Sequence, residues 1–290
     1  MLRRGRTGWV LAEERPERAL GGALVWATRA GVDELHVLAG SEEAAGVLAR
    51  RAAAFRRPPQ VWLIEGATMS PAVPAPPLAD GEPVAADDSF AAMVRAAGAD
   101  AVVEHGVLIA EVLGLEVGRV VDGRLDVGVG KHDREAQRLV HGDRPPEESL
   151  RAAVAAVRDV RRPGAPAHEI NQLAQERWLR SVVMTRPELV GAVSLSPLPA
   201  PVPRDGLRTP APAPAAGVDT EGRPVVVVCS TGIDVDLVPT AADARLSRDP
   251  AARLVLVVPE ADDHPVTRDL AAALADPAEV VTVPGDWRRA

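Results

Sequence analysis

Tyrosine is missing from this 290-residue chain, and cysteine, lysine and asparagine occur once each, as Cys229, Lys131 and Asn171. Two phenylalanines and five tryptophans are its only large rings besides histidine. A single cysteine excludes an intramolecular disulfide and leaves no thiolate cluster for a metal. Cys229 closes the apolar run VVVVC, which predicts a small buried hydrophobe. Long apolar runs are also absent: none approaches the roughly 20 residues needed to cross a bilayer. The basic start MLRRGR is followed by Glu13, Glu14 and Glu17 before a signal-type apolar region can form. Together these predict a soluble, cytoplasmic protein with no membrane partner.

Positive charge is scarce as well. The net charge is −8, and only residues 1–69 carry more basic than acidic groups, 10 against 8. The segment 70–222 holds 16 against 22, and 223–290 holds 7 against 11. Such a balance offers no strong basic surface for nucleic acid. Arg50, Arg51, Arg56 and Arg57, around Phe55, read as a solvated helix end whose cations suit the helix dipole. Arginine outnumbers lysine 32 to one, and alanine, glycine, proline and valine abound. This is the codon bias of a GC-rich bacterial genome, so the core must be built from Val, Leu and Ala.

What is present is one pattern written twice. Strand-like runs at 8–13, 32–38 and 60–64 alternate with helical runs at 16–30 and 42–55. At the other end, runs at 225–229, 252–258 and 279–283 frame helices at 239–248 and 265–275. Each reads as a Rossmann-like βαβαβ half, over 1–69 and 223–290. Matched lengths favour the two halves pairing into one doubly wound sheet. Pro-rich linkers at 70–86 and 196–222 separate them from the middle, because proline lacks a backbone donor and runs extended. The middle segment, 87–195, has another grammar: a helix at 88–98, strands at 101–111, 112–121 and 125–131, then helices at 133–141, 147–161 and 168–184. It reads as an α+β unit, an antiparallel three-stranded meander covered by helices. The fold class is therefore α/β.

Two places hold candidate chemistry. In open α/β sheets ligands sit beyond the carboxyl ends of the strands. The turn after the strand ending at Cys229 offers Ser230, Thr231, Gly232, Asp234 and Asp236 as ligand-binding residues. Two hydroxyls and a glycine bring amides towards a phosphate, while the two aspartates call for a divalent cation between. Neither half contains GxGxxG. The stretch Gly128-Val129-Gly130-Lys131-His132 is no P-loop, since Leu125 stands where its first glycine belongs.

The second place is the meander. A three-residue loop Val121-Asp122-Gly123 aligns the apolar faces and sets Glu116 opposite Gly128 and Asp126 opposite Gly118. The two carboxylates then lie diagonally over a floor of four glycines, placed to bind a divalent metal such as Mg or Mn. Lys131 and His132 supply a cation and a general acid or base. The helix–strands–helix layout resembles the PD-(D/E)xK nuclease core over about 60 residues, but Val117-Gly118 follows Glu116 where that core needs acid-x-Lys. The expectation is a metal-assisted hydrolase or phosphate-ester enzyme acting on a nucleotide or nucleic acid. The alternative is a non-catalytic module that binds a small molecule or nucleotide, or a scaffold. Oligomeric state is not legible.

Overall fold

The computed structural model describes residues 1–77, 88–141, 144–162, 165–203 and 206–289, without the side chains of 137–141 and 289. The described residues form a mixed α/β protein with three open sheets and eight α-helices. The first sheet holds β1 (Leu2–Arg4), β2 (Thr7–Ala12), β3 (Glu34–Ala39), β4 (Gln60–Glu65) and β5 (Thr68–Pro71), in that order. Its central three strands are parallel and linked by α1 (Ala19–Ala30) and α2 (Glu42–Ala52), while each edge strand is antiparallel. Ser41 caps α2 by accepting from the Ala44 amide, as an N-cap serine should.

The middle sheet comprises β6 (Asp100–Glu104), β7 (Val107–Val112), β8 (Leu115–Val121) and β9 (Arg124–Val127). It is a four-stranded meander, one strand more than expected, because His105-Gly106 breaks the predicted strand 101–111. Each of its hairpins turns on two residues with positive φ: His105-Gly106, Leu113-Gly114 and Asp122-Gly123. These X-Gly pairs give the right-handed twist that antiparallel neighbours require. Helices α3 (Asp88–Ala96) and α5 (Pro146–Val160) bury its inner face, with Val94, Leu150, Val154 and Val157 against Val112, Leu115 and Val117. Between them in the chain comes α4 (Gly130–His141).

The third sheet runs β10 (Ala192–Pro197), β11 (Ala213–Asp219), β12 (Pro224–Cys229), β13 (Arg253–Pro259) and β14 (Glu279–Val283). Its parallel part, β12 to β14, carries α7 (Leu237–Arg248) and α8 (Pro265–Ala273). Two antiparallel strands extend it, so the second proline-rich stretch is not only a connector: its end forms β11. Of the first proline-rich stretch, residues 78–86 lie outside the described residues.

The two outer halves do not share a sheet. Instead α1 and α2 pack against α7 and α8, and one core joins Val10, Val37 and Leu48 to Leu237, Val226 and Leu256. Strand β12 reads as an unbroken apolar run because both its faces are covered. Val226 and Val228 face this shared core, while Val225, Val227 and Cys229 face α6 (Gln175–Thr185) through Leu179, Val182 and Val183. Cys229 is fully buried, and burial pushes its thiol up to about 12.

Helix α6 also touches the middle sheet, and its backbone comes so near the β7–β8 turn that only glycine fits. A Cβ on Gly114 would lie 2.2 Å from the Arg177 carbonyl carbon, at φ +79°. Gly114→Ala is expected to cost about 1–3 kcal/mol in chemical denaturation, since the helix must back away. An unchanged midpoint would mean that α6 does not seat there.

Charged clamps and a cationic cleft

Arginine–carboxylate clamps hold the layers together. Asp243 on α7 accepts from Arg50 Nε at 2.7 Å and from Arg51 Nε at 3.0 Å, with all three side chains buried. Arg50 and Arg51 are thus interior groups and not a solvated helix end. Between α6 and the middle sheet, Arg180 binds both oxygens of Glu111, at 2.7 and 2.9 Å, and Arg177 binds Glu104. Arg161 has carbonyl partners instead: Leu113, Ile170 and Leu173, with Trp178 stacked 4.7 Å away. Burial pulls Arg161 down to about 10. Sequence periodicity marked α6 as a core helix but not these pairings, because a paired buried arginine looks like a surface arginine in sequence.

The turn after β12 is largely spent on internal contacts. Ser230 is buried, Thr231 Oγ1 bonds Glu176, and the Gly232 amide donates to Asp262 Oδ2 at 2.7 Å. Asp234 Oδ2 receives Arg18 Nη2 at 2.6 Å. Asp236 accepts from Arg51 and Thr240 through Oδ2. Asp234 and Asp236 therefore tie the C-terminal half to the N-terminal half and Thr231 ties it to α6, while Ser230 and Gly232 bond within the C-terminal half. Of these, Asp236 lines a small half-open pocket with Arg18, Pro203 and Thr209, of 460 Å³ counting the part open to solvent.

On the meander, the register differs from expectation. The β8–β9 loop has two residues, not three, so Val121 faces Arg124, Arg119 faces Asp126 and Gly118 faces Val127. A bulge offsets β8 against β7, pairing Ala110 with Gly118 but Glu111 with Glu116. The extra residue, Val117, lets Glu116 and Arg119 share the outward face. Asp126 faces the same way as Arg119, so both candidate carboxylates lie on one side of the sheet. The glycine floor is not bare: Gly114 is under α6, and a Cβ on Gly128 would meet the Arg134 amide at 2.8 Å.

Glu116 is 4% exposed. Arg119 grips both its oxygens, Nε at 2.6 Å and Nη2 at 2.9 Å, and Arg134 Nη1 adds a third bond at 2.9 Å. Asp126 adds its field at Arg134. Lys131 and His132 are on the first turn of α4, not at a strand end, and both are exposed.

The chain matches no protein-family model, no curated protein and no solved structure.

Glu116, Lys131 and His132 do line one cleft, of 1570 Å³ counting the part open to solvent. Its floor is the outward face of the meander, and its walls are the start of α4, the start of α6 and the crossing chain near Leu207. Among the described residues five cationic side chains line it, Arg119, Lys131, Arg134, Arg177 and Arg208, against two carboxylates, Glu104 and Glu116. Both carboxylates are already bound by arginine. Among the described residues Lys131 and Arg208 have no ion-pair partner. The start of α4 is capped from within, Asp133 Oδ2 accepting from the Val129 amide at 2.7 Å, so the cleft's free positive charge rests on the side chains. Such a donor set suits an anion. A divalent cation fits it poorly, since two guanidiniums occupy the Glu116 oxygens and repel a like charge. Among the described residues no three His, Cys, Asp or Glu side chains are grouped to hold a metal. No helix among them is long and apolar enough to cross a membrane.

Proposed function

We propose that the chain is a small-molecule-binding protein that takes a phosphate- or carboxylate-bearing ligand in the cleft over its middle sheet. The observation carrying this reading is the imbalance of charge in that cleft: its carboxylates Glu104 and Glu116 are bound by arginine, while Lys131 and Arg208 have no ion-pair partner among the described residues. The outer halves, which we read as Rossmann-like from their sequential parallel strands with both helices on one face, serve as the frame. They fix α6, and α6 fixes the cleft wall through Arg177.

Binding of inorganic phosphate or a nucleoside phosphate, followed by calorimetry at low salt, tests the proposal. Charge-assisted hydrogen bonds contribute about 1.5–3 kcal/mol each. Lys131→Glu with Arg208→Glu should therefore weaken binding at least roughly tenfold, and added salt should weaken it in the wild type. No binding to any anion in the panel would defeat the reading.

The placement of Glu116, Asp126 and exposed His132 towards one side supports a second reading, metal-assisted hydrolysis of a phosphate ester. It requires Mg or Mn to raise the melting midpoint, and that gain to vanish in Glu116→Ala with Asp126→Ala. The first reading requires ligand binding without metal.

A further inference from the structure

The two outer sheets are built alike but covered unequally. In the third sheet both faces are packed, one by α7 and α8 and the other by α6. In the first sheet Val10, Ala12, Val37 and Val61 face α1 and α2. The opposite face carries Trp9, Leu11, His36, Leu38, Trp62 and Ile64, none of which belongs to a core cluster. Leu11 is 48% exposed, and the edge strands continue the patch with Leu2 and Met69.

This face is ordered as well as apolar. His36 stacks on Trp9 with ring centroids 5.5 Å apart, and its Nδ1 accepts from Trp62 Nε1 at 3.0 Å. Two of the chain's five tryptophans are thus displayed on a sheet face that no other described residues cover. Tryptophan is the residue most concentrated at the energetic centres of interfaces.

We infer that a second copy of this chain covers the face, sheet against sheet, about a two-fold axis. Three observations favour that occupant. The chain's own continuation turns away: Ala72–Pro77 passes to the α2 side, where Arg50 donates to the carbonyls of Ala75 and Pro76. The face carries one charge of each sign, Arg4 and Glu34, in the same end row, so it selects no partner by net charge, and it lies in the one segment of a −8 chain that is not itself acidic. The size is also right. Strands spaced about 4.8 Å apart and rising about 3.3 Å per residue give roughly 400 Å² in projection, before side-chain relief is counted. Two such faces give about 800 Å² in projection, and only the relief of protruding side chains such as Leu2, Leu11 and Met69 brings the buried surface towards the roughly 1,200 Å² of the smallest specific interfaces, which fits a weak dimer. With the axis along the strands, β3 lies over β3 and β1 of one copy over β5 of the other, so Leu2 meets the Met69–Pro71 edge.

Sedimentation velocity of the full chain tests this over about 1–100 μM, the range expected for a small interface. A dimer should form with concentration and disappear in Leu11→Glu, whose side chain is exposed in the monomer and whose melting midpoint should show that the fold survives. Val193→Glu, at a 58% exposed valine on the third sheet, should leave the dimer intact. A wild type that stays monomeric overturns the inference, as does a dimer that survives Leu11→Glu.

Discussion

Asp243→Ala should lower the unfolding free energy by about 3–5 kcal/mol, the usual cost of stripping one member from a buried ion cluster. Asp243 has no exposed side-chain surface, and its partners Arg50 and Arg51 are 4% and 1% exposed. Its removal leaves two guanidiniums facing each other in the seam between α2 and α7. Some relief comes from the Asp236 carboxylate, which still accepts from Arg51, and from the Ala75, Pro76 and Glu17 carbonyls that the arginines also reach. Urea denaturation measures the loss. The triple change Arg50→Met, Arg51→Leu, Asp243→Leu should cost much less than the single one, because an apolar seam needs no desolvated charge. A loss under about 1 kcal/mol for Asp243→Ala would mean that this carboxylate is solvated and does not clamp the two halves.

The seam shows where sequence reading succeeds and where it stops. Strands β2, β3 and β4, and β12, β13 and β14, were legible because apolar runs bounded by helical periodicity have few other solutions. Their grouping was not. Whether two βαβαβ units share a sheet or stack through their helices depends on which helix faces are buried, and alanine-rich helices such as α1 and α7 blur that signal. The buried arginines were misread for a related reason: only their partners, some 190 residues away in sequence, distinguish Arg50 and Arg51 from surface groups. The edge strands β1, β5, β10 and β11 are short or proline-bearing and escaped notice.

The candidate site was partly legible. Glu116, Lys131 and His132 line one cleft, and the hairpins that set it were written as X-Gly pairs at 105–106, 113–114 and 122–123. The bulge at Val117 was not, since nothing in LEVGRVV tells a bulged strand from a regular one. The ligation of Glu116 escaped too. Arg119, three residues on, would point away from it in a regular strand, and Arg134 comes from the following helix. Glu116, singled out for its place over a glycine floor, proved to be the most heavily hydrogen-bonded acid of the cleft, which supports the anion-binding proposal over a metal site.

Asp236 supplies the other large effect, and it runs opposite to common acid denaturation. Burial lifts its carboxyl from 3.8 to about 6; Arg51 opposes the rise, Asp234 adds to it, and Arg18 and Thr240 oppose it. Only Oδ2 is well served, by Thr240 at 3.0 Å and Arg51 at 3.2 Å, while the buried Oδ1 has no hydrogen-bond partner. In the unfolded chain the group ionises near 3.8, but in the folded protein it holds its proton to about 6. Across that window the native state binds more protons, so stability falls as pH rises, by about 3 kcal/mol in total, and is flat beyond. Exposed carboxylates such as Asp33 and Asp263, held low by Arg6 and Arg268, act in the other direction. The readout is therefore the difference between wild type and Asp236→Asn. Wild type should lose about 3 kcal/mol relative to the variant between about pH 4 and pH 7. Parallel stability curves would mean that water or a ligand reaches Oδ1 through the half-open pocket beside it.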